Sequence, residues 1–133
     1  MRKKENPFSI GSRVKSFSHA FTGLKDMLLS EHNAWVHAFA TFLALDFAWW
    51  LDIDRAGWAL IIVAIILVWT AEAFNTVLEV ITDLLVGQRY SRIVRRAKDI
   101  AAAAVLIASI GAVGIGATIL GPPFYQRLAP FFT

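Results

Sequence analysis

At 133 residues, 57% of them hydrophobic, and with a mean hydropathy of +0.58, the chain is too apolar for an ordinary soluble domain and too short for two domains. It has no cysteine, which excludes disulfide stapling, a thiolate nucleophile and a Cys-ligated metal. A net charge of +3 and a pI near 9.6 would fit a nucleic-acid partner in a soluble protein, but in so apolar a chain the placement of charges matters more than their sum. One all-α integral-membrane unit over residues 1–133 is predicted, with no nucleic-acid partner.

The start, MRKKENPFSIGSRVKSFSH, is basic without the apolar stretch of a signal peptide, so residues 1–11 read as a retained basic tail. Residues 12–32 follow, with Val14, Phe17, Phe21, Leu24 and Leu28 on one helical face. Lys15, His19, Lys25 and Asp26 fall elsewhere on the wheel, which predicts an amphipathic helix lying along the membrane surface.

Three transmembrane helices are predicted after it. The first, 34–51, contains His37 and Asp46; the aspartate, near the outer end, reads as snorkelling or pairing at the interface. The second, 56–86, would extend roughly 46 Å as a helix against about 30 Å of hydrocarbon, so one end must project beyond it. The third, 100–120, carries no charge and has the length of a single crossing. Pro122 and Pro123 are expected to end it, leaving 121–133 as a tail whose aromatics rest on the interface.

Of the 13 Lys and Arg, six lie before residue 34 and five in the loop GQRYSRIVRRAKD, with only Arg55 and Arg127 elsewhere. The positive-inside rule therefore puts the N-terminus and that loop in the cytoplasm and the C-terminus outside. Trp49, Trp50 and Trp58 then gather at the outer interface and Trp35 at the inner one. Small residues on the third span, Ala104, Ala108, Gly111 and Ala112 among them, favour close helix approach and a homo-oligomer.

The second span ends in AEAFNTVLEVITD, where Glu72, Asn75, Thr76, Glu79 and Asp83 fall within roughly a 100° arc. Ionisable groups at membrane depth are expensive and mark bundle interiors or wet cavities. Asp83 could equally pair with a basic residue of the adjacent loop. For Glu72 and Glu79 that is less apt, because no Lys or Arg occurs in any span. Two carboxylates about 10 Å apart beside a basic loop suit Mg²⁺ carried with phosphates, hence phosphoryl transfer, with a further acid taking a hydroxyl proton. A cation conduit could use the same stripe, but residues 57–71 continue it outward with only Thr70 as a polar side chain. A catalytically inactive scaffold is a third reading.

AEAFNTVLEVITD followed by RRAKDIAAAAVLI, with GLKDMLLSEHNAWVH upstream, resembles the small trimeric prokaryotic diacylglycerol kinase family, which includes the undecaprenol kinases. The likeness covers roughly residues 12–120 and pairs E-x-x-N-T-x-x-E-x-x-x-D with A-K-D. It implies a surface helix and three transmembrane helices per subunit of a homotrimer in the bacterial inner membrane. It further implies ATP as co-substrate, Mg²⁺ as cofactor, and diacylglycerol or undecaprenol as acceptor. By position, Glu72 would be the base on the lipid hydroxyl, with Asn75 and Asp83 positioning reacting groups. Glu79 and Glu31 would hold the metal. Lys98 and Asp99 would meet the nucleotide, with Tyr90 and His19 beside it. Trp35, where undecaprenol-type members tend to have Arg, and His37, which they share, would border the lipid. The loop departs from the family in reading QRYS and in being one residue longer.

Overall fold

The computed structural model describes residues 10–87 and 91–132, and every regular element in them is helical. Four α-helices, α1 Ile10–Ser30, α2 His32–Trp50, α3 Arg55–Val86 and α4 Arg92–Leu128, are followed by one turn of 3₁₀-helix at Ala129–Phe131. Most of the predicted basic tail and Tyr90 lie outside the described residues. α3 and α4 form the main helix pair, with α2 against both and the end of α1 against α2.

α1 and α2 are separated by one residue. Glu31 takes an extended conformation (φ −103°, ψ 118°), while its backbone N–H still donates to the Met27 carbonyl at 3.0 Å. The apolar face of α1 that the periodicity predicts stays largely exposed within one chain at Val14, Phe17 and Phe21, and only Met27 is buried. An apolar face of this kind beside membrane-length helices suits the bilayer surface.

The turn between α2 and α3 is fixed by three residues. Asp52 adopts a positive φ of 50°, which Asp tolerates better than most residues because its short polar side chain can bond locally. Asp54 caps α3, its Oδ1 accepting from the Gly57 N–H at 2.8 Å. At Gly57 α3 packs tightly against α4: a Cβ there would meet Asp54 Oδ1 at 3.0 Å and the Ile119 side chain at 3.1 Å. At its other end α3 stops at Gly87, whose φ of 56° is open to glycine at little cost.

Among the described residues, α3 and the Arg92–Phe131 segment are long and apolar enough to cross a membrane. α4 departs from the sequence expectation at both ends. It begins at Arg92, so Arg92, Arg95, Arg96 and Lys98 lie on its first two turns and not in a loop. Ser91 caps this start, accepting from the Val94 N–H, and Arg and Lys are good helix formers.

The expected stop at Pro122 and Pro123 does not occur, and the helix runs through both to Leu128. Each proline forfeits one helical hydrogen bond, but its fixed φ is helix-compatible and neighbouring helices can offset the loss. Here that anchorage is visible. The Phe124 ring stands edge-on to Phe47 at 5.8 Å and Trp50 at 6.2 Å, and the Arg127 Nη1 donates to the Trp50 carbonyl at 2.9 Å. The tail is thereby tied to α2, where the sequence suggested only aromatics resting on the interface.

The buried positions of α3 are Gly57, Ile61, Ala64, Val68, Glu72, Asn75 and Thr82, spaced three, four or seven apart along one stripe. For its first half the stripe is an apolar core seam. From Glu72 onward the same seam is polar, with Glu72, Asn75 and Thr82 buried inside the helix bundle while Asp83 further along stays exposed.

Candidate active site

The polar end of the seam is built from one helix and completed by its neighbours. Glu72 has 0% exposure, and neither carboxylate oxygen accepts a hydrogen bond of normal geometry. Its nearest polar neighbour is His37 of α2, whose Nε2 stands 3.5 Å from Oε2. Three residues on, Asn75 is buried, donates from Nδ2 to Glu79 Oε1 at 3.0 Å, and keeps an unpartnered Oδ1. The buried Thr76 hydroxyl is also unpartnered. Thr82, buried on the same stripe, turns its hydroxyl back to the Leu78 and Glu79 carbonyls at 2.8 and 3.0 Å. Buried polar atoms without partners are rare in folded proteins, and three neighbouring residues carrying them mark a place where another molecule belongs.

Glu31, just before α2, and Glu79, two turns further along α3, both lie within electrostatic reach of Glu72. Glu31 is half-buried, and its side chain is not spent on capping α2; among the described residues it accepts from the Ser30 hydroxyl, at 3.5 Å. No three His, Asp or Glu side chains among the described residues are grouped tightly enough to hold a metal ion unaided.

At the mouth of the stripe Asp83 pairs with Lys98 of α4. The hydrogen bond that the Lys98 ammonium donates to the Asp83 carboxylate holds the Lys98 pKa above the ordinary lysine value. Asp99, beside it, is turned along the helix surface to Arg95 at 3.8 Å. Trp35 is 63% exposed, and His19 is exposed on α1, so neither is drawn into the cluster within one chain. Two apolar grooves flank the stripe. One of about 530 Å³ runs from His37 between α2, α3 and α4, past Ala44 and Ala64 to Gly116; the other, of about 470 Å³, lies beside Asn75, against Ala97 and Ala101.

The sequence reading missed the partner of Glu72. It counted only Lys and Arg as basic residues of the spans, and the neighbour is a histidine. The signal was available: His37 lies roughly 21 Å back from the α2–α3 turn and Glu72 roughly 26 Å forward from it, within one helical turn of the same depth.

A model of the prokaryotic diacylglycerol kinase family matches residues 18–120. Over 113 residues the chain is 36% identical to a diacylglycerol kinase of Synechocystis, covering 85% of this chain and 65% of that protein. Over 100 residues it is 35% identical to the diacylglycerol kinase of Escherichia coli, covering 75% of this chain and 81% of that one. With an undecaprenol kinase of Bacillus subtilis it shares 28% identity over 122 residues, 92% of this chain and 98% of the relative.

Proposed function

The chain belongs to the prokaryotic diacylglycerol kinase family, and from that premise we propose that it transfers the terminal phosphate of ATP to the hydroxyl of a membrane lipid, diacylglycerol or undecaprenol. The observation that carries this reading is the change of one continuous helix seam from dry core to a cluster of buried, partnerless polar atoms at Glu72, Asn75 and Thr76.

In this reading α2 crosses the bilayer together with α3 and α4, and α1 lies on the cytoplasmic surface of the inner membrane. The N-terminus is inside and the C-terminus outside, as the distribution of Lys and Arg favours. Three such chains assemble, which would cover the apolar faces that a single chain leaves open.

Glu72 takes the proton of the acceptor hydroxyl as its oxygen attacks phosphorus; burial from water suits a base that must act inside a lipid-facing protein. Asn75 steadies Glu79 through the Nδ2 hydrogen bond and turns its free Oδ1 toward the reacting groups. Lys98, held by Asp83, is a mobile cation at the cytoplasmic mouth, able to exchange that carboxylate for a phosphate oxygen. Asp99 helps fix the nucleotide, with Tyr90 and His19 as further nucleotide contacts.

The donor set fits Mg²⁺. Glu31 and Glu79 offer hard oxygen ligands whose other contacts are few, and two carboxylates with phosphate oxygens completing the shell is a usual way to bind this ion. When bound, it would supply charge neutralisation to the transferring phosphoryl group.

The test is turnover of the purified full chain in micelles with labelled ATP, Mg²⁺ and a panel of lipid alcohols. Label should pass to a lipid and be lost in Glu72→Gln with the oligomer intact. No transfer to any lipid from correctly assembled protein would favour an inactive scaffold. Ion flux without transfer would favour a conduit, against which the apolar outer half of the seam already argues.

A further inference from the structure

A buried carboxylate that serves as a base must be kept charged and aimed, and Glu72 has little to do either. It is fully buried, Glu31 and Glu79 repel its charge, and no Lys or Arg among the described residues pairs with it. Among the described residues, the one side chain of opposite tendency in contact is His37, 3.5 Å from Oε2, with 13% of its own side chain exposed. We propose that His37 is a positioning residue for Glu72: it donates from Nε2 to Oε2, supports the carboxylate charge and leaves Oε1 free for the acceptor hydroxyl.

This rests on the reading of Glu72 as the base and adds to it the group through which that base is set. A second observation shows that the contact is held in register. The Trp69 indole N–H donates to the Thr41 hydroxyl at 3.0 Å, bridging α3 to α2. Thr41 lies four residues after His37 and Trp69 three before Glu72, so the bridge sits one turn from the pair on both helices. Sliding either helix would break both contacts together. Ala34, one turn before His37 on α2, is fully buried.

The chemistry balances without a proton on His37 changing hands. The acceptor O–H breaks and its proton goes to Glu72 Oε1. The lipid oxygen bonds to the γ-phosphorus, the bond to the bridging oxygen breaks, and ADP leaves. His37 stays a donor to the other oxygen throughout, as the neutral Nε2–H tautomer permits.

The experiment compares His37→Leu, His37→Gln and Glu72→Gln in the purified full chain, with ATP, Mg²⁺ and the lipid alcohol that the wild type phosphorylates best. Assembly is checked by size-exclusion chromatography. His37→Leu should lower kcat roughly 100-fold while KM for ATP and for lipid moves less than about two-fold. His37→Gln, whose amide can present an N–H near the Nε2 position, should recover kcat to within about ten-fold of wild type. If the leucine variant does not assemble, His37→Asn, too short to span the contact, takes its place. Wild-type kcat in the leucine variant would overturn the proposal. So would a rise in lipid KM alone, which would make His37 a lipid contact, or a glutamine variant as inactive as the leucine one. If Glu72→Gln keeps its activity, the reading of Glu72 as the base fails; if it is inactive while His37→Leu is fully active, only the role of His37 fails.

Discussion

Arg127 and Trp50, 77 residues apart in sequence, tie the end of α4 to the end of α2: the guanidinium donates to the Trp50 carbonyl at 2.9 Å and lies 5.1 Å from the centre of the indole ring. The carbonyl belongs to the last turn of α2, where helix carbonyls lack partners within the helix. One side chain thus satisfies a helix end and anchors the segment beyond two prolines.

Arg127→Ala should therefore loosen this end without touching the polar cluster. Loss of the charge-assisted hydrogen bond and of the cation–π contact should lower stability by about 1–2 kcal/mol, an exposed site setting the low figure. Thermal unfolding in micelles reads the loss, and lipid phosphorylation at low temperature should be unchanged.

Gly57→Ala tests the close approach of α3 and α4. The added methyl would crowd both the capping Asp54 carboxylate and Ile119, and neither relief is free: moving Asp54 loses the cap, and moving Ile119 opens the helix pair. A destabilisation of about 1–3 kcal/mol is expected, as for other small-to-large changes in packed sites. A melt matching wild type would show that the interface gives way easily.

Glu72→Gln should separate function from stability. Turnover should drop by roughly 10²–10⁴-fold, the usual contribution of a positioned base. The fold should be as stable as wild type or more so, because the change removes a buried charge that meets two nearby carboxylates and lacks a well-formed hydrogen bond. A turnover assay and a melt on the same preparation decide it; a large loss of stability would mean that the carboxylate serves the fold.

Asp83→Asn removes the partner of Lys98. Because the folded-state pKa of Lys98 is raised, the pair's contribution is fully present below the unfolded lysine value of about 10.4 and is lost as pH rises through the folded one. Wild type should melt above Asp83→Asn at pH 7–9, and the two curves should converge in strong alkali. Both side chains are partly exposed, so the gap should be small and shrink with salt. Melts at low and high ionic strength check this.

Much of the molecule was legible in the chain because its signals are local. Apolar residues at helical spacing placed α1, α2 and α3 within two residues at each end, though not the ends of α4, and 3.6-residue periodicity alone put Glu72, Asn75 and Glu79 on one face. What sequence could not decide is what lies opposite that face. The relative slide of α2 and α3 is set by the turn at Asp52–Asp54 and by the Trp69–Thr41 bridge, and α3 meets α4 at Gly57; none of these has a period in the sequence. That register brings His37 to Glu72 and Lys98 to Asp83. Likewise Pro122 and Pro123 are helix breakers by local rule, and α4 continues through them because Phe47 and Trp50, distant in sequence, supply a surface for the turns that follow. Residue order determined which face of each helix is polar; only the tertiary packing decided which charges meet, because contact between helices depends on their relative depth and not on their own repeat.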